Sequence, residues 1–168
     1  MMRSSNLLMA VLFTCVFVFV GCKQTLVISE VDYSQPIETV LQPNEDGTVN
    51  DVRSGLTFNI LPLQYAETAD TSSVTTKEIR MIRGREGYYY ITSPGYQNVY
   101  VMAPEESTLK LKKKIKIKEG GIERPAFNQR NPYVMLLNRE TGENYALNAE
   151  GIQQQKEKEN EKNNKEAG

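Results

Sequence analysis

Residues 79–118 read IRMIRGREGYYYITSPGYQNVYVMAPEESTLKLKKKIKIK, a run in which short β-prone segments alternate with turn residues. Ile79 to Ile82 and Tyr88 to Ile91 flank Arg83-Gly84-Arg85-Glu86-Gly87, whose two glycines invite a hairpin turn. Ser93-Pro94-Gly95 makes a second turn, with glycine available for the positive φ that a type II turn requires. Asn98 to Met102 follows, and Ala103 to Ser107 makes a third turn. Turns at this spacing describe a β-meander.

The rest of the chain extends the pattern. Thr25 to Val31 and Ile37 to Leu41 read as strands, the second closed by the turn formers Pro43 to Gly47. Leu56 to Leu63 carries Leu56, Phe58 and Ile60 at alternate positions, the period of a half-buried strand, with Pro62 marking an edge or an end. Tyr65 to Thr76 is rich in Thr, Ser, Ala and Asp and reads as a surface loop or internal linker. Tyr133 to Leu137 is apolar on both faces, as in a central covered strand, and Arg139 to Glu143 turns into Asn144 to Asn148. No stretch shows a convincing amphipathic helix. The expected fold is all-β, a small β-sandwich or partly open barrel of antiparallel hairpins. The segment YYYITSPGYQNVYV, residues 88–101, resembles transthyretin-like and carboxypeptidase-regulatory β-sandwich repeats, with an aromatic strand, a Pro-Gly turn and a second strand. That resemblance also implies a sandwich.

Two patterns in this region present candidate binding surfaces. In residues 109–118, strict alternation places Leu109, Leu111, Ile115 and Ile117 on one face, with Lys113 the intruder. Lys110, Lys112, Lys114, Lys116 and Lys118 fall on the other. Same-face side chains in a strand stand about 7 Å apart. Unit charges at that spacing repel by about 0.6 kcal/mol in water and about 2.4 kcal/mol at an effective dielectric of 20. Such a ladder must face solvent, acidic partners or an anionic ligand. It either protects an exposed strand from edge pairing or forms a stripe for phosphates, an acidic glycan or an acidic protein. The second pattern is aromatic. If Tyr89 and Ile91 face the core, Tyr88 and Tyr90 form an exposed pair with Tyr100 beside them, a platform suited to sugar rings or a protein interface. The alternative is that the tyrosines only pack across strands.

The N-terminus supplies the address. Arg3 is followed by the apolar run Leu7 to Val20, interrupted by Thr14, and then by Phe19-Val20-Gly21-Cys22. Fourteen residues fall short of the about 20 needed to cross a bilayer core but suit a secretory signal. The ending resembles the lipobox of bacterial lipoproteins: bulky apolar, tolerated apolar, small, cysteine. That resemblance implies cleavage before Cys22 and acylation of its sulfur, with stable anchoring once two or more chains are attached. Lys23 in place of aspartate implies the outer membrane. The absence of an acidic cluster in Lys23 to Val27 favours its periplasmic face over the cell surface. The expected organisation is a signal at 1–21, a lipidated tether and first strand at 22–36, a β domain at 37–152, and a disordered polar tail at 153–168.

Composition narrows the chemistry. The chain has 20 basic and 21 acidic residues; loss of residues 1–21 removes only Arg3 and leaves a net charge of −2. No global field steers it toward nucleic acid. With no histidine, Ser-His-Asp and Cys-His arrangements and His-ligated metal sites are excluded. Cys15 lies in the signal, so acylation of Cys22 leaves no thiol for a disulfide or redox pair. The acidic residues cluster in turn-like stretches such as Asn44 to Gly47 and Pro104 to Ser107, a poor basis for paired acid–base catalysis. The expectation is a membrane-anchored, non-catalytic binding or scaffolding module of the cell envelope, without cofactor or metal. Its partners would be the membrane, through Cys22, and an envelope protein. The alternative is an envelope glycan or another anionic ligand held by the Tyr and Lys surface.

Overall fold

The structure is a computed structural model that describes residues 37–106 and 108–153. The expected signal, the strand at Thr25 to Val31 and all of the polar tail except Gln153 lie outside the described residues. Within them the chain is all-β apart from one short helix. In chain order the elements are β1 (Thr39–Leu41), β2 (Thr48–Asp51), β3 (Leu56–Asn59), α1 (Leu61–Thr68), β4 (Ile79–Arg83) and β5 (Tyr89–Thr92). They continue with β6 (Asn98–Pro104), β7 (Leu109–Lys116), β8 (Pro125–Arg130), β9 (Tyr133–Asn138), β10 (Asn144–Asn148) and β11 (Gly151–Gln153). Gln153, expected to begin the tail, instead closes β11.

All strand pairs are antiparallel. A five-stranded sheet runs β1-β4-β5-β6-β7, a four-stranded sheet β11-β10-β9-β8, and β2 pairs with β3 in a separate hairpin. The sheets form no closed barrel among the described residues. Alternation in the five-stranded sheet feeds two apolar clusters. Ile82, Tyr90, Val99, Val101 and Ile115 pack with Phe127, Val134, Leu136 and Leu147 of the four-stranded sheet. Ile79, Met81, Tyr89 and Ile91 pack with Val49 and Ile60, and Leu41, Leu56, Phe58 and Leu63 border them. The central sheet is therefore covered twice, by a sheet on one face and by the β2–β3 hairpin with α1 on the other. All four residues of β5 are buried for this reason.

The helix corrects the sequence reading. Leu56 to Leu63 was expected to be one strand and Tyr65 to Thr76 a loop; β3 instead stops at Asn59 and α1 begins at Leu61. Pro62 fits because the first helical turn needs no backbone N–H there. Asn59 Oδ1 accepts the Leu61 N–H at 2.9 Å, holding the chain at the strand-to-helix change. Ala69 ends the helix in a left-handed conformation, its N–H bonded to the Tyr65 carbonyl at 2.8 Å. The buried side chain of Gln64 organises the segment that follows. Its Nε2 donates to the carbonyls of Asp70 and Ser73, and its Oε1 accepts the N–H groups of Thr75 and Thr76. A buried amide with all its groups used fixes a loop that carries little apolar surface.

A second fixed point lies where two turns cross. Gly95 N–H donates to the Ile122 carbonyl at 2.9 Å and Ile122 N–H to the Tyr96 carbonyl at 3.2 Å. Gly121 sits between them at φ +79°, and a Cβ there would overlap the Gly95 carbonyl oxygen. Glycine is required for both conformation and close approach.

Candidate functional site

The lysine strand does not present one ladder. Val101 pairs with Lys113, but Met102 pairs with Leu111, so Lys112 is an extra residue on β7, a β-bulge. Directly paired residues share a face, and the bulge moves the alternation to the opposite face. Leu109 and Leu111 follow Pro104 and Met102 onto the hairpin and helix side, whereas Lys113 and Ile115 follow Val101 and Val99 toward the four-stranded sheet. Lys114 and Lys116, opposite Tyr100 and Asn98, face the helix side. The expected separation into one apolar and one basic face is thereby corrected: the same strand contributes to both cores.

The lysines also find local partners. Lys110 Nζ lies 3.4 Å from Glu105, Lys112 3.3 Å from Glu150, Lys116 2.9 Å from Glu119 and Lys118 3.0 Å from Glu143. Lys114 donates to the Ala66 carbonyl at 2.9 Å and lies 5.6 Å from the Tyr100 ring centroid. Hydrogen bonding to Glu150 raises the Lys112 pKa, and hydrogen bonding to Glu143 raises that of Lys118. In return Lys116 lowers Glu119 and Lys118 lowers Glu143. The Coulomb load of the strand is thus divided among single surface pairs, which solvent screens.

The tyrosine platform is corrected as well. Tyr90 is 2% exposed and packs in the sandwich core, and Tyr100 is 1% exposed on the opposite face. Neither can stack on a ligand. Tyr88 alone of the three is half-buried, with Lys112 Nζ 5.0 Å from its ring centroid. Burial raises the pKa of Tyr90 and of Tyr96, and raises that of Tyr100 together with its hydrogen bond to Glu67.

Glu67 is the residue that sequence reading missed. Its Oε1 accepts from the Tyr100 hydroxyl at 2.6 Å and from Asn98 Nδ2 at 2.7 Å, and its Oε2 accepts the Gln97 N–H at 2.9 Å. Tyr96 meets Tyr100 edge to face and shares a 2.8 Å hydrogen bond with Thr76. These contacts fasten α1 and its following loop to β6. No signal for this was readable, because Glu67 lay in a segment with no evident helical period. A comparable device holds the other edge: Glu38 accepts the Phe127 N–H at 2.7 Å and lies 3.0 Å from Arg80, joining β4 to β8. Both carboxylates hold layers together and are engaged with several donors each.

No known family model, curated protein or solved structure matches the chain.

Proposed function

We propose that this chain is a lipid-anchored, non-catalytic binding or scaffolding module of the bacterial cell envelope, attached to the outer membrane on its periplasmic side through acylated Cys22. The observation that carries the reading is the Phe19-Val20-Gly21-Cys22 ending of the apolar run, followed at once by Lys23-Gln24. The domain supports it in a specific way. Its conspicuous polar groups are engaged within the fold: Glu67, Glu38 and Arg80 fasten layers to one another, and Gln64 holds the loop after α1. The ion pairs along β7 and the burial of Tyr90 and Tyr100 weigh against a glycan or anion platform. What remains is a rigid β body whose surfaces suit protein contact close to a membrane.

The test is expression of the full chain and of Cys22→Ala, followed by detergent phase partitioning and mass spectrometry of the N-terminal peptide. The expected result is a diacyl- or triacyl-modified Cys22, recovery in the detergent phase, and co-purification of a defined envelope protein. An unmodified Cys22, or an identical partition for Cys22→Ala, removes the anchor. Repeated recovery of the lipidated chain alone removes the scaffold.

A further inference from the structure

An opening lies at the β8 edge of the four-stranded sheet. A groove of about 590 Å³ runs between Ile37 and Glu38 on one side and Phe127 to Asn131 on the other. Among the described residues β8 is the last strand of its sheet, and one side of its backbone has no strand neighbour there. In an antiparallel pair, alternate residues turn their N–H and C=O toward and away from the partner. The Phe127 N–H is donated to Glu38, which sets the phase: Phe127 and Gln129 point outward, and Asn128 pairs inward with β9. Glu38 blocks the edge at Phe127. At Gln129 no backbone or side-chain group of the described residues occupies the edge.

The Gln129 side chain adds an independent observation. It is 7% exposed and lines the groove, and its Nε2 is used on the Tyr133 carbonyl at 3.0 Å. Its Oε1 is the one buried side-chain polar atom among the described residues that lacks a hydrogen-bond partner. A buried acceptor of this kind calls for a donor. Charge then selects the occupant. Glu38 is neutralised by Arg80, whereas Arg130, exposed at the same groove, has no carboxylate within 4.0 Å among the described residues.

We infer that the β8 edge at Gln129 is a docking site for an extended, acidic peptide segment of a partner protein. The segment adds a short strand to the sheet. Its backbone pairs with the Gln129 N–H and C=O, a donor reaches Gln129 Oε1, and a carboxylate meets Arg130. This deepens the partner-binding half of the proposed function by naming the surface and the kind of partner.

The test uses the full chain in detergent micelles and a fluorescein-labelled heptapeptide, TVEVTVE, read by anisotropy and by amide shifts. The expected result is saturable binding with the Gln129 amide protected from exchange. It should weaken about tenfold or more with Arg130→Glu, with TVKVTVK in place of the probe, or with backbone N-methylation of the peptide. Arg130 is exposed, and an unchanged thermal midpoint for Arg130→Glu establishes that the fold is intact. Absence of saturable binding, or binding indifferent to both Arg130→Glu and N-methylation, overturns the inference. Self-association that depends on Arg130, seen by sedimentation, also overturns it by making a second copy the occupant. An envelope partner retained equally by Arg130→Glu would overturn the groove and leave the scaffold function standing.

Discussion

Toward the four-stranded sheet, the five-stranded sheet presents Ile82, Tyr90, Val99, Val101 and Ile115 to a cover that is itself apolar. Toward α1 and the β2–β3 hairpin, the same strands present Ile79, Met81 and Ile91, but also Asn98 and Tyr100, whose polar ends are held by Glu67. The first face is closed by interdigitation. The second has a thinner cover and relies on hydrogen bonds to keep an eight-residue helix in place. A helix of that length is not stable by itself in water, so its tertiary contacts must supply its order. The difference teaches how one sheet is buried on both sides when only one full partner sheet is available.

The largest effect should come from the apolar face. Leu136→Ala removes a fully buried side chain and should cost about 2–5 kcal/mol, read as a lower urea midpoint. A loss below about 1 kcal/mol would show that this core collapses around the change and is not tightly packed. Next comes Glu67→Ala, which strands the Tyr100 hydroxyl, Asn98 and the Gln97 N–H and should cost about 2–3 kcal/mol. Hydrogen exchange should rise first in α1 and residues 69–76, with β8 to β10 unaffected; uniform exchange throughout would erase the distinction between the faces.

Alkaline pH probes both faces together. Tyr90, Tyr96 and Tyr100 have raised folded-state pKa values, so the unfolded chain loses their protons first. Their stabilising contribution is complete below the ordinary tyrosine value of about 10 and declines as pH rises beyond it. Three such groups should cost about 1 kcal/mol by pH 10. Absorbance at 295 nm should show their ionisation withheld until unfolding, and early titration of Tyr90 and Tyr100 in the native state would contradict their burial. The smallest effect belongs to the β7 surface, where Lys118→Gln should leave the urea midpoint essentially unchanged because solvent screens its pair with Glu143.

The all-β class and much of the meander were legible because alternation and turn residues are local signals. The exposed face of Tyr88 to Ile91 was not. A strand reading Tyr-Tyr-Tyr-Ile has no polar face, and that absence is itself the mark of cover on both sides. The helix was hidden by Pro62, which reads as a strand end but equally suits a first helical turn. Gln64 and Glu67 act through residues up to 33 positions away, which no window on the sequence spans. For β7 the signal was present in Lys112-Lys113-Lys114, the one place where alternation falters, and it marks the bulge.

That bulge has a mechanical consequence. Leu109 borders the cluster beneath the hairpin, whereas Ile115 is part of the sandwich cluster, so one edge strand grips both layers of the domain. Peeling β7 away would loosen the two layers in a single event. Calorimetry should accordingly record one melting transition, and a single-residue deletion at Lys112 should divide it into two.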